Sequence, residues 1–252
     1  MGAFTGWLED SVGSVGGLGI ISGRIISGVF SYKYRAVNIL SQLKKIGVDT
    51  LPIVTLMAVF TGMVLAVQTY YQLRQVGLEI FIGALVGLSM ARELGPILTS
   101  IIVAGRVGSA IAAEIGSMKV TEQVDALKTL AVDPYKYLGV PRLIACFFMV
   151  PLLTIYAVFI GITGGYMISV FKYGLRGSEY LDKMVMFVRP IDIMSGITKS
   201  FFFGLVIALV GCYKGFRTVG GAEGVGRSTT SSVVTSSILI LVLDFFLSLV
   251  LF

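Results

Sequence analysis

Arg92 and Glu93, Arg106, Glu114, Lys199 and Asp244 each interrupt a long apolar stretch of this sequence. A charge inside a membrane segment is costly, so such groups usually face a cavity or a partner. Two chemistries are open to them. The acids Glu93, Glu114 and Asp244 could relay protons or an ion through a self-contained carrier. Alternatively, all six could bridge helices and fix their register. Other chemistry is poorly provided for. The chain has no histidine, which removes Ser-His-Asp and Cys-His catalysis and His-ligated metals. Cys146 and Cys212 lie inside apolar runs, form no CxxC pair and read as packing residues. No GxxxxGK[ST] loop is present, so the chain does not hydrolyse ATP by that route. The reading is a non-enzyme with no cofactor and no metal site of its own.

The elements that must position these charges belong to a membrane. Of 252 residues, 56% are hydrophobic and 13% charged, with a mean hydropathy of +0.91. A soluble domain is about 25% charged. The net charge of +6 needs no nucleic acid, because Lys and Arg are retained on the cytoplasmic side of membrane proteins. Residues 1–29, including the glycines between Gly13 and Gly19, read as a flexible N-terminal segment without a secretory signal. Over 30–48, Phe30, Tyr34, Val37, Leu40, Leu43 and Ile46 recur every three or four positions, with Lys33, Arg35, Lys44 and Lys45 between them. That predicts a basic amphipathic helix lying on the inner leaflet. Residues 49–252 read as the transmembrane domain.

Five spans are predicted, giving an all-α membrane protein. Thr50–Leu73 carries no charge and is long enough to cross roughly 30 Å of hydrocarbon. Ile80–Met118 is too long for one crossing and too short for two. It is predicted to be one long helix broken at Gly95-Pro96, with a re-entrant hairpin as the alternative. The remaining spans are Leu143–Phe171, Ile193–Tyr213 and Ser228–Phe252, separated by a polar loop, Lys172–Asp192, and a Gly-rich loop, Lys214–Arg227. The Lys and Arg count favours a cytoplasmic N-terminus and an outer C-terminus. Small residues repeat every four positions along Gly83, Gly87, Ala91, Gly95 and along Ala104, Gly108, Ala112, Gly116. Each track suits close helix packing, within the chain or across a dimer.

Between the second and third spans, Thr121 is placed to cap a short amphipathic helix with Glu122 and Asp125 in its first turn. Asp133-Pro134 should end it. Val124, Leu127 and Leu130 would share one face, and Glu122, Gln123 and Lys128 lie away from it. Such a helix suits docking to another subunit, or is an ordinary interfacial loop.

One ordered series of motifs is specific. Arg92-Glu93-Leu94-Gly95-Pro96, Ala104-Gly105-Arg106, Ala113-Glu114-Ile115-Gly116, Thr121-Glu122-Gln123-Val124-Asp125-Ala126, Val132-Asp133-Pro134 and Gly226-Arg227-Ser228-Thr229-Thr230 follow one another. The sequence resembles the MlaE/YrbE family, the permease subunits of MCE-type ABC transporters that move phospholipids between Gram-negative membranes. The resemblance implies a bacterial inner-membrane homodimer with lipid in a cavity between the two copies. It implies a cytoplasmic ABC ATPase that carries the ATP and magnesium and docks on the helix at about 121–131, through Thr121, Glu122, Gln123, Asp125, Ala126 and Leu127. It also implies a periplasmic MCE-domain hexamer. The outer loop near Lys183, Met184 and Met186 departs from the family pattern and lends no site residues. A phospholipid cavity needs a few cations for the phosphate. Arg92, Lys199 and Arg227 are the candidates, with Glu93 pairing one of them, Asp244 bracing the last two spans and Glu114 bracing the short helix.

Overall fold

The computed structural model describes residues 16–29 and 36–251. It is all α, with no strand among the described residues. Five helices are long and apolar enough to cross a membrane: Val37–Arg74, Glu79–Val120, Tyr135–Phe171, Pro190–Phe216 and Gly221–Leu251.

Of the N-terminal segment, residues 16–29 are described and they are helical. A helix α1 covers Gly16–Val29, where a flexible segment was expected. The side chain of Ile25 is fully buried, in space that Gly139 leaves by lacking a Cβ. Of the amphipathic helix expected over 30–48, α2 covers Ala36–Ile46; residues 30–35 lie outside the described residues, as do 1–15. A single 3-10 turn, Val48–Thr50, leads into α3 (Leu51–Arg74), with Pro52 in its first turn.

The second span is one uninterrupted 42-residue helix, so the hairpin alternative at Gly95-Pro96 is not formed. It runs through α4 (Ile82–Ser89), a π-turn at Met90–Leu94, α5 (Gly95–Val103), a second π-turn at Ala104–Gly108, and α6 (Ser109–Val120). The first π-turn explains how the proline is tolerated. Proline removes one donor and crowds the carbonyl one turn back. Here the ladder has already slipped to five-residue bonds, with the Gly95 N–H donating to Met90 O. Such π-bulges cluster at functional sites.

A short helix α7 (Gln123–Thr129) follows, then a π-turn at Tyr135–Gly139 and α8 (Val140–Phe171). The polar loop expected over Lys172–Asp192 contains a helix, α9 (Gly177–Phe187). Helix α10 covers Pro190–Phe216 and α11 covers Gly221–Leu251. The Gly-rich loop is therefore shorter than expected, because α11 begins at Gly221 rather than Ser228. Gly220 and Gly221, at φ 91° and 66°, make the turn.

The chain divides into two compact units. One comprises Met1–Lys44, Ala104–Phe147 and Leu205–Leu239; the other comprises Lys45–Val103, Phe148–Gly204 and Ile240–Phe252. In the first, the track Ala104–Gly116 receives α10. Gly211 lies on the Gly108 carbonyl and Gly215 on the Ala112 carbonyl, and Thr218 fills the space beside Gly116. The Ser232 hydroxyl donates to Gly108 O at 3.2 Å. In the second unit, Gly62 of α3 meets the Gly161 backbone of α8, and Gly164 meets Val59. The track from Gly83 carries α9: Gly83 faces the Tyr180 backbone, and Gly87 faces Met184. Tyr180 is buried with Ala66, Ile82, Val86 and Met90. Its hydroxyl donates to Ile162 O at 3.3 Å, the partner a buried tyrosine requires. Both small-residue tracks thus pack within the chain.

Candidate functional site

Four of the five charged residues singled out from sequence for a cavity meet in the second unit. The π-turn presents Arg92 and Glu93 together. Lys199, from the middle of α10, is 0% exposed at its side chain. Its ammonium donates to Glu93 Oε2 at 2.6 Å, to Ser248 Oγ at 2.8 Å and to the Arg92 carbonyl at 3.2 Å. Asp244 Oδ1 lies 3.0 Å away. The Ser248 hydroxyl in turn has two acceptors within reach for its one proton, the Asp244 carbonyl at 2.9 Å and Glu93 Oε1 at 3.3 Å. An ammonium has three protons to place. Two carboxylates, a hydroxyl and a backbone carbonyl surround it, so the buried charge is well compensated.

The Arg92 carbonyl is available for a local reason. In an ordinary helix it would accept from the residue four positions on, and that residue is Pro96. On α10, Gly196 lies directly against the Ala91 carbonyl, so its missing Cβ lets α10 approach the π-turn closely.

Arg92 itself turns to a partner that sequence reasoning missed. Its Nη2 and Nε lie 2.7 and 2.9 Å from Asp192 Oδ1. Asp192 is fully buried, and its Oδ2 accepts from the Arg189 N–H at 2.8 Å. That is half of a capping box, with the acid three residues into α10 and Pro190 at its first position. The Pro190-Ile191-Asp192 signature was available in the sequence. It went unused because Asp192 closed what read as a polar loop. Arg92 and Glu93 retain 32% and 39% side-chain exposure, so they are the accessible members of the network, held from behind by Asp192 and Lys199.

The other charges lie elsewhere. Glu114 pairs with Arg142 at 2.9 Å, tying α6 to α8 rather than bracing the short helix as expected. Arg142 also donates to Leu138 O at 2.7 Å. Arg106 is exposed. Arg227 belongs to the other unit, where it lines a cavity with Tyr213, Lys214 and Arg217.

Helix α7 has an unusual build. Thr121 does not cap it. Thr121 closes α6, its hydroxyl donating to Ser117 O at 2.9 Å. The cap position is Glu122, at φ 60°. At the other end Ala131 has φ 58°. There the Val132 N–H reaches Leu127 O and the Ala131 N–H reaches Lys128 O, both at 3.0 Å, which is a Schellman closure with alanine where glycine is usual. Asp125 accepts from Lys119 and Lys128, each at 2.7 Å. Those two hydrogen bonds hold its carboxyl down at about 2, and the one to Asp125 raises Lys128. Val124 is buried, but Leu130 is 72% exposed, so the expected apolar face is only partly covered. Glu122, Gln123 and Ala126 are exposed.

The Permease MlaE family model matches residues 39–250. The chain is 43% identical over 235 residues to a probable ABC transporter permease protein of Rickettsia felis, covering 93% of this chain and 91% of that one. It is 40% identical over 229 residues to the chloroplastic protein TRIGALACTOSYLDIACYLGLYCEROL 1 of Arabidopsis thaliana, covering 91% and 65%. It is 38% identical over 215 residues to the intermembrane phospholipid transport system permease protein MlaE of Haemophilus influenzae, covering 85% and 82%. With five apolar helices of spanning length, these matches make the chain a multi-pass membrane protein that belongs to the MlaE permease family.

Proposed function

We propose that this chain is the permease subunit of an ABC transporter that moves phospholipid between the inner and outer membranes, driven by a separate ATPase subunit. The observation that carries the reading is its similarity, over 85% of its length, to a Haemophilus permease named for intermembrane phospholipid transport. Helix α7 supports it: a short, exposed element between two spans, held by an ion triad and closed at both ends by tight turns, is built to receive a push.

In this reading the chain sits in the bacterial inner membrane with its N-terminus in the cytoplasm and its C-terminus outside. Two copies enclose the lipid. A cytoplasmic ATPase, holding ATP and magnesium, docks on residues 121–131, and a hexamer of MCE-domain proteins receives or delivers lipid at the periplasmic face. ATP-driven closure displaces α7, and the motion reshapes the cavity. Arg92 and Glu93, with Lys199 and Asp244 behind them, present its charged wall to the headgroup.

The test is purification of the chain from native membranes in mild detergent, with mass spectrometry of the proteins and lipids that accompany it. Recovery of an ATPase, an MCE-domain protein and phospholipid is expected. A lone, stable chain without lipid would sink the reading and favour a self-contained ion- or proton-coupled carrier using the same charges.

A further inference from the structure

The structure assigns a binding site for one long acyl chain to an apolar cavity of the second unit, between α8 and α10 and against the first π-turn. The cavity measures about 200 Å³ and is lined by Ala91 of the π-turn, by Thr154, Val158 and Ile162 of α8 and by Gly196 and Ile197 of α10, among others. All of these residues belong to one unit. The lining offers nothing to a polar ligand. Its one hydroxyl, on Thr154, is spent on Val150 O at 2.9 Å, and no charged side chain takes part.

Protein interiors leave few voids larger than a water molecule, and an apolar cavity of about 150 Å³ stays dry and takes up benzene or xenon. A void of this size with no polar wall therefore takes whatever hydrocarbon reaches it. The entrance decides which. Ile155, Phe159 and Ile193 line the cavity and are 44%, 68% and 43% exposed. It thus opens outward between two helices of membrane-spanning length, where the surroundings are lipid tails. A partner's helix is the other apolar occupant, and it does not fit. A helix with its side chains is about 10–12 Å across, whereas the cavity holds the volume of about seven waters. Helix contacts in membranes also use small residues, and this rim is isoleucine and phenylalanine. The glycine in its wall is already taken, because the Ala91 carbonyl occupies the space where a Gly196 Cβ would stand.

The position gives the chain a task, because both walls grip the π-turn. On the α8 side a Val158 methyl fills the space that Gly95 leaves, and on the α10 side Gly196 meets the Ala91 carbonyl. The next residues, Arg92 and Glu93, carry the polar network to Asp192 and Lys199. An acyl chain seated between the walls supplies the dispersion contacts that an empty void forfeits, and so sets how firmly the π-turn is held. It is a resident part of the folded protein, distinct from lipid in transit, and its binding requires neither an ATPase nor transport.

The experiment reconstitutes the full chain in phosphatidylcholine vesicles doped with phosphatidylcholine that bears a photoreactive diazirine in its palmitoyl chain, and maps the labelled residues by mass spectrometry. Labelling is expected to concentrate on residues 154–162 and 193–197. Ile197→Phe, which fills the cavity, is expected to lower it there by roughly tenfold, the worth of about two buried methylenes. Leu152→Phe, on the exposed side of α8 and outside the lining, is expected to leave it unchanged. Competition with unlabelled palmitate separates the sources: displacement assigns the site to a free fatty acid, and persistence assigns it to a phospholipid tail. Labelling spread over all exposed apolar residues in proportion to their exposure would overturn the proposal, and the wild type alone decides this if Ile197→Phe fails to fold. An unchanged map in folded Ile197→Phe would overturn it too. So would a benzophenone side chain at position 193 that captured a second protein's helix in native membranes. The transporter reading fails separately, by loss of ATPase capture from native membranes.

Discussion

Lys199 donates to the backbone carbonyl of Arg92 at 3.2 Å, and that carbonyl is the one to which Pro96 offers no N–H. The proline within the uninterrupted helix and the buried lysine are therefore one device. The proline frees an acceptor within an apolar span, where an unsatisfied backbone group costs several kcal/mol, and the lysine satisfies it while placing its single positive charge between Glu93 and Asp244. The π-turn that absorbs the proline also sets Arg92 and Glu93 side by side, one facing Asp192 and the other Lys199.

Replacing Lys199 by methionine should therefore be strongly destabilising. It leaves two carboxylates and a carbonyl facing an apolar side chain. Breaking a buried pair by removing one partner costs about 3–5 kcal/mol. The 39% exposure of Glu93 lets water relieve part of this and moves the expected loss toward the lower end. The triple change Lys199→Met, Glu93→Gln, Asp244→Asn should recover most of the loss, because no charge is then left alone. Thermal unfolding of the detergent-solubilised chain reads both. An unchanged midpoint for Lys199→Met alone would remove the network from the account of stability.

Glycine substitutions should separate close backbone packing from mere composition. A Cβ on Gly62 would fall on the Gly161 carbonyl oxygen, and backbone cannot step aside as a flexible side chain can. Gly62→Ala is expected to cost at least the roughly 1–3 kcal/mol of ordinary overpacking. A Cβ on Gly105 meets nothing within 4 Å, so Gly105→Ala should be neutral, or stabilising by up to about 1 kcal/mol through helix propensity. Equal effects at the two positions would show that α3 and α8 are not in backbone contact.

Much of this architecture was legible because membrane spans announce themselves by uninterrupted apolar length. The charge-free run Thr50–Leu73 became α3 (Leu51–Arg74) almost unchanged. The charged residues were also legible as a group, because Arg92, Glu93, Lys199 and Asp244 stand out against apolar neighbours. Their pairing was not. Asp192 was hidden by Arg189 and Lys183 nearby, which made its helix start look like loop. Helix α9 was missed for the same reason: its polar residues masked Tyr180 and Met184, whose partners on α4 are distant in sequence. No residue type signals a π-turn, so the means of tolerating Pro96 had to come from the backbone. Thr121 was misread as a cap because capping depends on backbone angles, and the chain spends its left-handed residue at Glu122 instead.

The ion triad on α7 should respond to acid in a defined window. Asp125 is held at about 2, below its ordinary 3.8, by hydrogen bonds from Lys119 and Lys128. A carboxyl with a depressed folded-state pKa contributes its stabilisation fully above its unfolded value and loses it as pH falls through the folded value. Protection of the α7 amides in hydrogen exchange, corrected for intrinsic rate, should therefore hold down to about pH 4 and decline toward pH 2. Asp125→Asn should lower protection at neutral pH and abolish that step. A step that survived in the variant would assign the transition to another group.

Glu122 permits a test of α7 that separates charge from backbone strain. Its side chain is exposed, and its φ of 60° is one that L-residues adopt at a cost of roughly 1–2 kcal/mol. Lysine carries the same backbone penalty as glutamate, so Glu122→Lys reverses the charge at constant strain. Glutamine removes the charge at constant strain, and glycine removes both charge and strain. If residues 121–131 dock the ATPase through surface complementarity, Glu122→Lys should abolish ATPase capture while the chain still inserts, and glutamine and glycine should weaken capture to similar, smaller degrees. If instead the strained cap is what matters, lysine and glutamine should behave like the wild type and glycine alone should alter coupling. Capture and lipid transport unchanged in all three would show that α7 is an ordinary loop helix, and the ATPase would have to be sought on another face of the chain.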